Sequence, residues 1–196
     1  ASVLHDEAIY PVRELGIPIT ILTTREPGHP GTSIVPRRAP DQAVCGIAGR
    51  GGFTMISIEK AFMNKQRGFG RRVLSVLEEY AIGWEHMPTG IDTMSLIIRN
   101  EELGDKGPLL VREIKRACEP DEITLSQDLA ILATVGIGMT RRIGVAARLT
   151  AALADAGVNI RVIDQGSSEM NIIVGVEELN LNKAVHALYH AFADWK

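Results

Sequence analysis

Residues 63–80 read MNKQRGFGRRVLSVLEEY, and residues 139–156 read MTRRIGVAARLTAALADA, so one pattern returns 76 positions further along the chain. The identical pairs in this ungapped register include Met63 and Met139, Gly68 and Gly144, Leu77 and Leu153, Gly90 and Gly166, Met94 and Met170, Glu102 and Glu178, and Leu103 and Leu179. Self-similarity at a fixed spacing indicates one structural unit that occurs twice.

Both copies carry the apolar spacing of an amphipathic helix. The apolar positions are Phe69, Val73, Val76, Leu77 and Tyr80 in the first copy and Val145, Leu149, Ala152, Leu153 and Ala156 in the second. A second helix is predicted in each copy, from Pro108 with Leu110, Ile114 and Ala117, and around Leu181, Val185, Leu188 and Phe192. Proline suits the first position of a helix because its missing N–H is not needed there.

Apolar, β-branched runs of strand length separate these helices. They are Phe53–Ile58, Met94–Arg99, Leu129–Val135, Ile160–Asp164 and Met170–Val176. The first copy is predicted as strand 53–59, helix 68–81, strand 84–90, strand 94–99, helix 108–118 and strand 122–127. This βαββαβ order predicts an α+β, ferredoxin-like fold.

The second copy lacks a sixth element because the sequence ends directly after its second helix. Ala43–Ala48 is apolar enough for a strand and precedes the first copy. We therefore expect 43–50 to complete the second sheet, which inserts the first unit within the second. The predicted domains are 53–127, and 43–50 plus 128–196.

Residues 1–42 differ in kind from the rest. His5–Leu15 is predicted as a helix and Ile17–Thr23 as a short strand, followed by a linker rich in proline. The chain starts at Ala1 and enters this pattern at once, so we expect a piece of a longer protein.

Composition limits the function classes. The chain has 196 residues, 45% hydrophobic and 23% charged, with a net charge of −3. It lacks the basic excess of a nucleic-acid-binding protein, and its longest nearly uncharged apolar stretch, Leu129–Met139, is too short to cross a bilayer. We expect no nucleic-acid or membrane partner. Cys45 and Cys118 form no metal or disulfide pattern, which favours the cytoplasm.

No catalytic pattern is present in the sequence. His186 and His190 share a helix face but lack further metal ligands in a known spacing, so surface histidines are the favoured interpretation. Gly136 and Gly138 follow a strand, yet the next glycine, Gly144, falls outside the dinucleotide-binding spacing. We expect neither a catalytic site nor a metal site here.

The loops that enter the helices at Gly68 and Gly144 are candidate anion sites. Helix N-termini leave backbone N–H groups unpaired and favour negative charge. Glu85 and Asp92 lie on the neighbouring strand and turn of the first copy. Such acids could hold an ammonium while the helix holds a carboxylate, which together are the two ends of an amino acid. On chemistry alone, solvated surface acids remain the alternative.

At this point the sequence resembles a known family. Val3-Leu4-His5, Gly16-Ile17-Pro18-Ile19 and Pro30-Gly31-Thr32 resemble the end of the amino-acid kinase domain of aspartate kinases. Met63-x4-Gly68-Phe69, Glu85 to Thr93, Val135-Gly136-x-Gly138-Met139 and Asn159-Ile160-Arg161-x3-Gln165 to Glu169 resemble the paired ACT domains of that family. The resemblance covers essentially the whole chain.

The resemblance implies a regulatory region that does not catalyse. The family phosphorylates L-aspartate with ATP and Mg²⁺ in a kinase domain, of which 1–42 would be the trailing helix, strand and linker. ACT domains of two chains would pair, and lysine and/or threonine would bind between them. Carried over by position, the effector site is Met63, Gln66, Gly68, Phe69, Gly70, Trp84, Glu85, Gly90, Ile91 and Asp92. Asn159, Ile160, Ser168 and Glu169 would line a second effector site or buttress the first.

Two departures and three alternatives accompany this interpretation. Some lysine-sensitive members have Asp at the position of Glu85 and Ser at that of Gly90, which leaves the effector open. A structural dimerisation module without effector binding is one alternative, and a free-standing enzyme is another. A ferredoxin-like RNA-binding module is disfavoured because only Phe53 and Trp84 supply rings on the predicted strands.

Overall fold

The computed structural model describes residue 4, residues 9–36, residues 39–193 and residue 195. Contacts divide the chain into two compact units, Ala1–Asp41 and Gln42–Lys196. Among the described residues, no helix has both the length and the apolar character needed to span a bilayer.

The first unit contains one short helix and one hairpin. Helix α1 covers Tyr10–Arg13, and strands β1 (Ile19–Ile21) and β2 (Thr32–Ile34) pair antiparallel. The helix predicted over 5–15 is thus observed only in part, and its residues 5–8 lie outside the described chain. The strand predicted over 17–23 is shorter because Pro18, just before β1, cannot donate a ladder hydrogen bond.

The second unit holds the repeat. Its elements are β3 (Gly46–Glu59), α2 (Phe69–Glu79), β4 (Thr93–Arg99), α3 (Asn100–Leu103), α4 (Gly107–Cys118), β5 (Glu122–Val135), α5 (Val145–Asp155), β6 (Val162–Asp164), β7 (Asn171–Glu177) and α6 (Leu181–Phe192). Short 3₁₀ turns precede α2, α5 and α6. The five strands form one antiparallel sheet in the order β4-β3-β5-β7-β6.

The expectation of two separate sheets is wrong, because β3 and β5 are long enough to belong to both halves. The second half of β3 pairs with β4, and the first half of β3 pairs with β5 residues 131–135. Residues 46–50 therefore lie beside a strand of the second copy, with Gly46 opposite Val135 and Arg50 opposite Ile131. That is the pairing the insertion hypothesis needs, while the division into 53–127 and 43–50 plus 128–196 stays a proposal.

Each copy packs its own helix pair on the sheet. The first core is centred on Ile56, Ile58, Leu96, Ile98, Phe69, Val73, Leu77, Leu110 and Ile114. The second is centred on Ala130, Leu132, Ile172, Val174, Leu149, Leu153, Ala184 and Leu188. The predicted helical faces are thus the buried ones, since α2 buries Phe69, Val73, Val76 and Leu77 at the spacing read from the sequence.

A third apolar cluster lies on the opposite face of the sheet. It contains Phe53, Met55, Ile97 and Leu129, with Ile131 and Val162 packed against them. Along β3 and β5 these residues alternate with those of the helix-covered cores, which places all four long helices on one face. The third cluster draws residues from both copies.

The strand predicted over 84–90 is not a regular strand. Only His86 and Thr89 form isolated bridges, to Ile97 and Met94 of β4. Pro88 interrupts this edge because it has no N–H to donate, although its carbonyl oxygen still accepts from Ser95. The segment is an irregular edge beside β4 that leads into the turn 88–92.

Candidate functional site

Gly68 determines how the chain enters α2. It adopts φ +76° as the residue before the helix, a conformation that glycine tolerates and most other residues do not. No side chain caps this helix, and within the described chain no acceptor pairs with the amides of Gly70 and Arg71. Two N–H groups at the positive end of the helix dipole are therefore available to an anion, and the anion site itself stays a prediction.

The turn 88–92 is fixed against the loop that precedes α2. The amide of Lys60 donates to the Asp92 carbonyl oxygen at 2.8 Å, and the amide of Asn64 donates to the Ile91 carbonyl oxygen at 3.1 Å. The Gly90 amide donates to the Thr93 carbonyl oxygen at 2.8 Å and closes the turn. The structure thus brings the predicted loop residues and the predicted turn residues together.

The predicted side chains of this site fall into two groups. Met63 and Phe69 are buried in the first core. Trp84 and Ile91 are exposed, Ile91 at 71%, and Phe62 is 66% exposed on the loop to which Ile91 is hydrogen-bonded. We call the exposed pair Phe62 and Ile91 the apolar rim of the site.

Polar side chains surround the same loop. Gln66 Oε1 accepts from Arg72 Nη2 at 3.4 Å, and Lys65 Nζ lies 5.0 Å from the centroid of the Phe62 ring. Gly70, another predicted site residue, packs closely on Met94. A Cβ built at Gly70 would lie 3.4 Å from the Met94 methyl carbon. The cationic groups add to the helix dipole and favour an anionic ligand end.

Glu85 has a partner that the sequence did not suggest. Arg99 Nε donates to Glu85 Oε2 at 2.7 Å, and this hydrogen bond and the charge of Glu85 raise the pKa of the Arg99 guanidinium. A ligand ammonium that uses Glu85 must therefore share it with, or take it from, Arg99. Arg99 ends β4, so the contact depends on strand register and no sequence motif marks it.

The second copy is closed by its own side chains. Glu169 Oε2 accepts from the backbone N–H of Arg141 at 2.6 Å, in the loop that leads to Gly144 and α5. Ser168 Oγ accepts weakly from the Met170 amide at 3.5 Å, Ile160 packs against the second core, and Asn159 is exposed. Glu169 thus holds a loop of its own copy, and whether these four residues line a second effector site or buttress the first stays a prediction.

Trp195 also engages this loop. Its ring lies 4.4 Å from Arg142 Cζ and 5.0 Å from Arg148 Cζ. The first copy has no counterpart to this contact, since α4 is followed directly by β5. The two copies therefore have the same backbone fold but differ in the side-chain contacts of the loop that precedes their first helix.

The histidines of the described ranges do not assemble a metal site of three or more ligands. His186 and His190 Nε2 atoms are 3.2 Å apart on the exposed face of α6. In the part of the chain that the structure describes, no group of three or more His, Cys, Asp or Glu side chains could hold a metal ion.

Comparisons with known proteins agree with this architecture. The model of the ACT domain family matches residues 132–192. Aspartokinase 3 of Bacillus subtilis is 41% identical over 193 residues, which is 97% of this chain and 42% of that protein. The crystal structure of Clostridium acetobutylicum aspartate kinase superposes with a TM-score of 0.90 at 47% identity, over 97% of this chain and 45% of that one.

This chain belongs to the aspartokinase family. Its two copies are ACT-type units of that family, and the resemblance read from the sequence is confirmed. The chain spans less than half the length of these relatives. A more distant likeness is to E. coli aspartokinase III in complex with lysine and aspartate, with a TM-score of 0.78 at 22% identity over 97% of this chain and 42% of that one, which shows the fold alone.

Proposed function

We propose that this aspartokinase chain is an amino-acid sensor in which lysine and/or threonine binds at a seam between ACT units of two subunits. Binding would inhibit a kinase domain that precedes residues 43–196 and converts ATP and L-aspartate to 4-phospho-L-aspartate and ADP. Residues 1–42 would be the last part of that domain and its linker. ATP and Mg²⁺ would bind upstream, so the chain by itself should not catalyse.

The observation that carries the proposal is the loop and turn of the first copy. Two open helix amides, at Gly70 and Arg71, directly follow a loop that two backbone hydrogen bonds fix to the turn 88–92. A free amino acid offers a carboxylate for the amides and an ammonium for an acid, either Asp92 of that turn or Glu85, which lies further along the β4 edge beside Arg99. This explains why a site without catalytic groups would still select a small zwitterion.

The apolar rim supports a subunit interface at this place. Phe62 and Ile91 expose most of their surface in the single chain, although both sit on structured turns. Burying such side chains against a second copy is favourable by roughly 25 cal/mol per Å². A second subunit would also close the site from solvent, which strengthens the contacts to both ligand charges.

Calorimetric titration with lysine, threonine and methionine, each alone and then in pairs, tests the proposal. Saturation by lysine or threonine is expected, and an effector at 100 times its Kd should add about 2.7 kcal/mol to the free energy of unfolding. Sedimentation with and without effector checks the dimer. A dimer that none of the amino acids stabilises would instead be a purely structural dimerisation module, and phosphorylation of aspartate by the chain alone would contradict its regulatory role.

A further inference from the structure

His86 and Asp164 approach each other from opposite edges of the sheet. His86 lies beside β4 at one edge, through its bridge to Ile97, and Asp164 ends β6 at the other. Three strands, β3, β5 and β7, separate these edges in the hydrogen-bonded order. His86 Nε2 is nevertheless 3.6 Å from Asp164 Oδ2. The sheet must therefore curl until its two edges meet.

The positions of both side chains agree with this curl. His86 is the bridge partner of Ile97, and partners across a ladder project to the same face. Asp164 shares its face with Val162, two residues earlier on β6. Ile97 and Val162 both belong to the third apolar cluster, so that cluster lies on the inner face and the polar pair lies on the same face.

Two irregularities in the long strands produce the curl. Gly52 adopts φ +83° where the register between β3 and β5 shifts, and Asp128 adopts φ +58° on the facing strand. Such bulges bend the strand that carries them and increase its twist. Glu178 Oε2 holds the first bulge by accepting from the Gly52 amide at 3.0 Å.

His86 adjoins the turn of the proposed effector site, and Asp164 adjoins a loop of the second copy. His86 comes two residues before the turn 88–92, and its carbonyl oxygen accepts from the Ile97 amide at 2.9 Å. Asp164 directly precedes the loop 165–169, which ends at Glu169, the acceptor for the Arg141 amide. The pair is therefore a contact between residues that adjoin the turn and the loop.

The contact falls just short of a hydrogen bond. The Nε2 atom of His86 is buried, its side chain is 17% exposed, and that atom has no hydrogen-bond partner among the described residues. Asp164 is 43% exposed, so it can move. An approach of less than 1 Å would make a charge-assisted hydrogen bond, whereas withdrawal leaves a buried polar atom unpaired.

We propose that His86 and Asp164 form a positioning pair that couples the effector turn of the first ACT unit to the loop 165–169 of the second. The inference rests on the proposed function, because it assumes that an amino acid binds the chain. Binding at one loop favours one arrangement of the pair, and the other loop then follows. Coupling of this kind is typically 5- to 150-fold in affinity.

Amide hydrogen exchange of the 196-residue chain with saturating lysine, and separately with threonine, tests the pair. In the unmodified chain, an amino acid that slows exchange in 88–92 should also slow exchange in 165–169 by fivefold or more, or the reverse. In Asp164→Asn and His86→Gln, exchange should still slow in the segment where the amino acid binds (the local slowing). It should no longer slow in the other segment (the distant slowing). Asp155→Asn, at the exposed end of α5, is the matched control and should keep both.

The outcomes separate the two proposals. Distant slowing that survives in Asp164→Asn overturns the coupling role while the sensor stands. Distant slowing that is absent from the unmodified chain overturns it as well. If neither amino acid binds the unmodified chain, the sensor proposal fails and the coupling fails with it. Without any ligand, Asp164→Asn should exchange faster in 88–92 if Asp164 positions the turn, and unchanged exchange contradicts that positioning role.

Discussion

The backbone N–H of Arg141 donates to Glu169 Oε2 at 2.6 Å, so a carboxylate of the chain itself occupies the loop before α5. In the first copy, the corresponding loop donates to a backbone carbonyl instead, from Asn64 to Ile91 at 3.1 Å. At this contact the second copy is thus held by an internal acid and the first by a backbone carbonyl, while Asp121 holds only the start of the first loop, through the Ala61 amide. The two ACT units are therefore unequal in how they can receive an anion.

Removal of that internal acid should loosen the second copy. Glu169→Ala is expected to lower the free energy of unfolding by about 1–2 kcal/mol, because a charge-assisted hydrogen bond is lost. Glu169→Gln keeps a neutral acceptor and should lose less. Urea denaturation followed by circular dichroism measures both. Equal stability of all three proteins would show that the contact does not contribute.

Glu85 and Arg99 provide a test of the ammonium site. Glu85→Gln should weaken lysine binding about tenfold, while the fold stays intact because exposed ion pairs contribute little. Arg99→Gln should have the opposite effect, because it frees the carboxylate for the ligand. Calorimetry measures both affinities, and Arg116→Gln, in an exposed pair on α4, is the control. Weaker binding in Arg99→Gln would place the ammonium elsewhere.

Gly49 tests the role of residues 46–50 in the second copy. A Cβ there would lie 2.8 Å from Leu181 Cδ1 and 2.9 Å from Val185 Cγ2, both on α6. Gly49→Val should therefore cost about 1–3 kcal/mol by overpacking the contact between β3 and α6. Exchange of α6 amides should rise more than exchange of α2 amides. A uniform rise in both helices would argue against a separate second domain built on 46–50.

Asp121 should make the stability depend on pH. It accepts from the Ala61 amide at 2.6 Å and from Lys60 Nζ at 3.1 Å, and these contacts lower the pKa of its carboxyl. A lowered pKa in the folded state gives stability that is present above the unfolded value, near 3.9, and that is lost as pH falls through the folded value.

The difference in unfolding free energy between the unmodified chain and Asp121→Asn should thus be largest at neutral pH and shrink below about pH 4. Urea titrations at pH 7, 5 and 3.5 measure it. Asp105→Asn, on the exposed loop before α4, serves as the control. If the difference in unfolding free energy instead grew as the pH fell, the pKa of Asp121 could not be lowered in the folded state.

The helices and their buried faces were predictable because they depend on neighbours three or four residues away. Leu149 and Leu153 are buried on α5 as their spacing in the sequence required. The same spacing occurs in both copies of the repeat, and this supported the predicted βαββαβ order. The resemblance then supplied the candidate site residues, and the structure brings the loop and the turn of that site together.

The irregular edge at 84–90 was not predictable from the same pattern. Its apolar residues suit a strand, yet Pro88 and a single neighbouring strand leave it with isolated bridges. The Glu85 pair with Arg99 depends on this edge and on the register of β4. Neither is encoded in the spacing of residues along the chain.

The amino-acid sequence by itself determined the repeated unit, its amphipathic helices and the family, because local periodicity and motifs record them. Only the tertiary structure decided that the two units share one curled sheet and that His86 reaches Asp164. That contact joins residues 78 positions apart, and it requires the summed bend of two bulged strands. Small backbone rotations at such bulges add up to the bend of the whole sheet. No short stretch of sequence specifies that total bend.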